Sequence, residues 1–186
     1  LTPLITTPII TSFFGLEIAG VWFLSSMFAS QLLLLEIGIS TSLVRLLARS
    51  EVIDSRKKTV NIIATAFYTL IAMSLFLLMV APAISAFFIN SFNPPIEVID
   101  DSRFLIYLTI FSVAINIPLR IGYSILVSRH RFDTVQIIDT AGIVIRLLSI
   151  ILMFSFFSPT IFLLGCIVFG ASMTISFITF IRAFLF

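Results

Sequence analysis

The amino-acid sequence predicts an all-α membrane protein folded as a six-helix transmembrane bundle. Three observations lead there: an extreme apolar content, repeated apolar runs of membrane-crossing length, and basic residues gathered in alternate connections. Of 186 residues, 60% are hydrophobic and 11% charged, and the mean hydropathy is +1.22. Soluble domains run at roughly 45–50% apolar and about 25% charged. A core cannot absorb that surplus, because a soluble chain must still cover itself with polar surface. Apolar stretches beyond about 18 residues recur along the chain, the length a helix needs to cross about 30 Å of hydrocarbon.

Apolar runs set against charged and Pro/Gly punctuation give one partial and five full helices. The partial helix covers residues 1–13 and carries Pro3 and Pro8, and "FGLEIAG" (14–20) reads as a tight connection. A helix follows at about 20–48, then the polar loop "RSEVIDSRKK" (49–58). The next helix spans 59–89, ahead of the loop "NSFNPPIEVIDDSR" (90–103). The fourth occupies 104–127 and contains Pro118. After "SRHRFD" (128–133) the fifth runs over 134–157, and "SPT" (158–160) turns into the last, 160–186. The chain starts at Leu1, its first run is too short to cross a bilayer, and it ends in "FIRAFLF" without a polar tail. It reads as a fragment of a longer protein.

Charge supports this alternation. Arg45, Arg49, Arg56, Lys57, Lys58, Arg129, Arg131 and Arg182 fall on one side, whereas the other has Arg103 with Glu17, Glu97, Asp100 and Asp101. That asymmetry assigns the first side to the cytoplasm. The net charge of +2 and pI near 9.0 therefore express topology, and no nucleic-acid partner is expected. Every extramembrane segment is short, so function is expected among the helices. No Ser/His/Asp set, Walker loop, CxxC or HExxH occurs, and an enzyme is not expected. Lone His130 and lone Cys166 give no metal cluster, and Cys166 is expected to be a packed small hydrophobe.

Candidate functional residues are the ionisable and amide groups inside the predicted helices: Arg146, Arg120, Asp139, Glu36, Arg45, Gln136 and Asn116. An ionised group at mid-bilayer costs at least ~2.5–3.5 kcal/mol, so such groups face a bundle interior or a wet cavity. Gln136, Asp139, Gly142, Arg146 and Ser149 recur at spacings of three and four and share one face. Arg146 lies about 18 Å in from the cytoplasmic start of its helix at 1.5 Å per residue. Two readings stand: a structural ion pair to a neighbouring helix, or the polar wall of a transport cavity in which Arg146 attracts an anion. Arg120 follows Pro118, whose missing donor frees a carbonyl that side chains or water must satisfy. Arg120 is either part of a pathway beside that kink or an arginine snorkelling to the interface. Arg45 reads as an interface anchor. Glu36 lies on the opposite side of its helix from Arg45, so it needs a partner elsewhere or stays neutral. Gly38 and Ser42 form a small-xxx-small pair expected at a close helix contact. Trp22, Tyr107 and Tyr123 read as interfacial belt residues.

The stretch "FGLEIAGVWFLSSMFASQLLLLEIGISTSLVRLLAR" carries a Gly-x-Glu-x-x-Gly-x-Trp turn (Gly15, Glu17, Gly20, Trp22). It continues with Glu36 and Gly38, then Leu43, Val44, Arg45 and Ala48. It resembles the opening of bacterial Wzx-like polysaccharide flippases of the multidrug/oligosaccharidyl-lipid/polysaccharide exporter superfamily. "IPLRIGYSILVSRHRFD" is similar to the family's fourth helix and the cytoplasmic loop after it. Glu36 stands where the resemblance leads one to expect aspartate. The resemblance implies two six-helix lobes around a V-shaped cavity, of which this chain would be the first MATE-like lobe. It also implies alternating-access transfer of undecaprenyl-pyrophosphate-linked oligosaccharide across a bacterial cytoplasmic membrane, for O-antigen or other polysaccharide synthesis.

On that reading Arg120 and Arg146 compensate the pyrophosphate, and Gln136, Asn116 and serines bond sugar hydroxyls. Asp139 and Glu36 balance the arginines or bind a coupling H⁺ or Na⁺; no other cofactor is expected. The partners would be the lipid-linked oligosaccharide, membrane lipids and the C-terminal lobe. The alternatives are a MATE-type drug or cation exporter, which would favour acidic cavity groups, a membrane-embedded polysaccharide polymerase or ligase, and a non-transporting scaffold with a dry core.

Overall fold

The computed structural model describes residues 2–52, 56–92, 94, 99–156 and 161–185. The described residues are helical almost throughout, in the order α1 (Thr2–Val52), α2 (Arg56–Phe92), α3 (Ile99–Leu119), α4 (Ile121–Ser128), α5 (Phe132–Phe156) and α6 (Ile161–Leu185). Four spans are long and apolar enough to cross a bilayer: Lys57–Phe92, Ile99–Ser128, Phe132–Leu152 and Phe162–Leu185. Large apolar side chains also cover the outside, with Tyr68, Phe76, Met79 and Phe87 of α2 all exposed. A water-facing surface would not carry so extensive an apolar patch. The chain is an all-helical, multi-pass membrane protein.

Helices α2, α3 and α5 begin earlier than periodicity alone suggests. Asp100 and Asp101 sit in the first turn of α3 and Asp133 in that of α5, where carboxylates offset the positive end of the helix dipole. The expected loops at 49–58 and 90–103 shrink accordingly, and the turn at 158–160 lies outside the described residues.

The start of the chain departs from expectation. Residues 1–13, the connection at 14–20 and the helix at 20–48 are replaced by the single helix α1, 51 residues long. Nothing in "FGLEIAG" forbids helix: its two glycines cost about 1 kcal/mol each relative to alanine, and proline is absent. The bundle therefore consists of α1, α2, the α3–α4 span, α5 and α6. Trp22 is correspondingly mid-helix and buried in the bundle, its ring 6.0 Å from that of Phe169.

The α3–α4 span is the axis. In it 56% of the most apolar window is buried, against 17% in each of the other three spans. It packs against α1, α2 and α6, and α5 lies against α6 and α4. One core cluster joins Leu47 of α1, Leu70 of α2, Leu126 of α4, Val135 of α5 and Ala183 of α6. A second joins Trp22, Leu105 and Leu164.

Pro118 interrupts the axis. Its ring nitrogen cannot donate to the carbonyl of Ala114 four residues back. The Ser74 hydroxyl of α2 donates to that carbonyl instead, at 2.6 Å in a buried position. Backbone bonding resumes at once, with Arg120 N donating to the Asn116 carbonyl at 3.1 Å and Ser124 N to the Arg120 carbonyl at 3.2 Å. Arg120 itself separates α3 from α4.

The span ends in a Schellman turn. Arg131 N donates to the Leu126 carbonyl and His130 N to that of Val127, with His130 left-handed at φ 56°. Glycine usually holds that place because it carries no Cβ penalty. His130 is thus a helix-terminating residue.

Two stability measurements follow. Ser74→Ala strands the Ala114 carbonyl in a buried site and should cost about 1–3 kcal/mol, read as a lower thermal midpoint in detergent. His130→Gly relieves the left-handed strain and should raise the midpoint, by up to about 1 kcal/mol of stability.

Candidate functional site

Two glycines bring α4, α5 and α6 together. At Gly122 of α4 a Cβ would sit 2.5 Å from the Phe180 Cα, so only glycine allows the α4 and α6 backbones to approach this closely. At Gly142 of α5 the space a Cβ would need is taken by the Ile175 side chain of α6. Such close approaches through small residues are how membrane helices gain contact where lipid competes equally for apolar surface.

Between these contacts lies a recess of about 50 Å³ lined by Leu119, Arg120, Tyr123, Asp139, Ile175, Ser176 and Thr179. Arg120 arrives from the α3–α4 junction, two residues before Gly122, and Asp139 from α5, one turn before Gly142. The two side chains thus line one recess from different helices. The Arg120 guanidinium carbon is 6.0 Å from the centre of the Tyr123 ring, within cation–π range. The Thr179 hydroxyl donates to the Ile175 carbonyl at 2.9 Å, leaving its lone pairs available to a further donor. The recess thus holds a cation, an anion, a π face and hydroxyls in one cleft. Arg120 is eight residues from Ser128 and Asp139 seven from Phe132, so both sit about 10–12 Å inside their helix ends.

Arg120 and Asp139 are both exposed at this recess, and the remaining candidates lie elsewhere. Arg146 is partly buried and lies about 10 Å further along α5 than Asp139, outside the lining of this recess. Gln136 is exposed one turn before Asp139. Asn116 is buried, and its Nδ2 donates to the Ser112 carbonyl at 2.8 Å, so one donor is committed within its own helix. Arg45 is exposed on α1. The Glu36 side chain lies outside the described residues. The stripe read on α5 therefore divides: Asp139 enters the recess, Gly142 seats Ile175, and Ser149 lines a groove of about 430 Å³ between α5 and α6.

That groove also receives Cys166, which is exposed and not the packed residue expected. Gly165 takes the packed place beside it, facing Leu108. Gly38 and Ser42 likewise meet no close helix. They line an open groove of about 460 Å³ between α1 and α2, with Asn61, Thr65 and Thr69 opposite. Ser176 and Thr179 were not singled out in the sequence, where they resemble any helical hydroxyls. Among the described residues no three His, Cys, Asp or Glu converge as a metal site would require.

No known protein family, curated protein or solved structure matches the chain.

If Arg120 and Asp139 act on each other across the recess, their effects on stability are not additive. A double-mutant cycle with Arg120→Ala and Asp139→Ala should give a coupling of at least about 0.5 kcal/mol, checked by thermal unfolding in detergent.

Proposed function

We propose that the chain forms part of a transporter that moves a lipid-linked oligosaccharide, carried on undecaprenyl pyrophosphate, across a bacterial cytoplasmic membrane by alternating access. On this reading it is one MATE-like lobe of a flippase for O-antigen or related polysaccharide, working with a second lobe. The observation that carries the proposal is the Arg120 recess. A guanidinium there is set among the helices of a membrane protein, beside a carboxylate that can hold it while no anion is present.

A diphosphate crossing hydrocarbon needs positive charge along its route, and arginine offers a planar fork that bonds phosphate oxygens in pairs. Tyr123, Ser176 and Thr179 supply hydroxyls suited to exchanging bonds with sugar. Arg146, deeper along α5, is the next positive station. The resemblance of residues 14–49 and 117–133 to Wzx-like flippases supports the same substrate class. Asp139 would rebalance Arg120 as substrate leaves, and is the group on which a coupling H⁺ or Na⁺ would act. A drug or cation exporter would depend instead on the Asp139 carboxylate.

The test is Arg120→Ala in the full-length protein, made in cells whose surface polysaccharide depends on it. Polysaccharide should fall sharply at unchanged protein level, with partial recovery in Arg120→Lys. Unchanged output in Arg120→Ala would overturn the proposal, and cation efflux lost only in Asp139→Asn would favour the exporter.

A further inference from the structure

The axis carries a buried polar face that the recess does not use. Ser102, Thr109 and Asn116 lie seven residues apart, two helical turns each, and so share one side of α3. Ser124 continues the buried polar positions in α4. Relative exposures are 0% for Ser102, Thr109 and Ser124 and 7% for Asn116. On α1, Ser25 is 2% exposed. It lies one turn beyond Trp22, as Thr109 lies one turn beyond Leu105, and Trp22 and Leu105 belong to one core cluster. Ser25 and Thr109 are therefore at matching depth on two helices that pack against each other.

Four polar atoms here have no protein partner: the Ser25 hydroxyl, the Thr109 hydroxyl, the Asn116 Oδ1 and the Ser124 hydroxyl. Helical hydroxyls have an easy alternative, a bond to the carbonyl three or four residues back. Ser42, Thr65, Thr69 and Thr174 all take it, and all are exposed. Buried Ser50, Ser128 and Thr179 take it as well, whereas the hydroxyls of Ser25, Thr109 and Ser124 do not. Orphan polar groups in a membrane interior are costly, and buried water bonded to two to four polar groups is the usual remedy.

We infer that the seam between α1 and the α3–α4 span binds a file of internal water. The orphan atoms of Ser25, Thr109, Asn116 and Ser124 are its anchoring points. Apolar side chains do not satisfy these atoms, and neutral oxygens alone give no reason for a multivalent ion. Water explains all four with one ligand. The inference is independent of what the Arg120 recess carries.

Silver ion tests it, being small enough to follow a water file and reactive with thiols only where they are hydrated. In the full chain in lipid nanodiscs, Cys166→Ala removes the native thiol, and single cysteines are placed by Thr109→Cys, Ser124→Cys and, as a control, Ala114→Cys. Ala114 is equally buried, at 0% exposure, on another side of α3. After silver treatment, thiols left free are alkylated in denaturant and counted by mass. The expected result is silver protection at positions 109 and 124 with none at 114. Equal inaccessibility at all three positions would overturn the inference. Should the cysteine variants fail to fold, Thr109→Val keeps shape while removing the hydroxyl. A lower melting temperature supports bound water, and an unchanged or higher one means a dry hydroxyl and overturns it.

Discussion

Hydrocarbon offers a backbone no hydrogen bonds, and at Pro118 the axial helix lacks one of its own. The rest of the bundle is arranged around the answer to that deficit. Ser74 reaches from α2 to the stranded carbonyl of Ala114, which fixes α2 to the axis at the level of the break. Arg120 follows two residues on from Pro118, at the junction of α3 and α4, with helical backbone angles of φ −66° and ψ −10°. From there its guanidinium enters the cleft shared with α5 and α6. A backbone shortage on one helix is thereby coupled to the placement of a charge facing two others.

Much of this was legible in the sequence, for identifiable reasons. Membrane spans announce themselves because hydrocarbon demands long uninterrupted apolar runs, and α2, α5 and α6 fall within a few residues of where those runs lie. Pro118 was legible as a freed carbonyl because proline chemistry is local. Arg120 and Asp139 stood out because ionised groups in membrane helices are expensive. What could not be read was which groups meet. Arg120 and Asp139 are on different helices, and their meeting depends on Gly122 and Gly142, whose role is the atom they lack. Ser176 and Thr179 look like any hydroxyls that bond back to their own helix. The connection expected at 14–20 failed for a related reason: glycine permits a turn without requiring one, and without proline the helix of α1 continues. Trp22 was misplaced with it, since a residue expected near a helix end is in fact mid-helix and packed.

Two sets of intramembrane polar groups differ in their physics. In the recess, opposite charges face each other in an open cleft, where a ligand can displace one partner and be bound by the other. Along the seam, neutral hydroxyls and an amide are shielded nearly completely, where displacement is difficult and permanent occupancy by small polar molecules is favoured. Arg120 and Asp139 line the open recess, and the unpartnered neutral groups of the axis lie where shielding is nearly complete.

Cys166 has a consequence of a practical kind. It is the sole sulfhydryl among 186 residues, and it opens onto the groove between α5 and α6. A fluorophore or spin label attached to the unaltered polypeptide therefore reports from a single known address, at one dye per chain. Because α5 and α6 also frame the Arg120 cleft, that reporter would register any parting of the two helices.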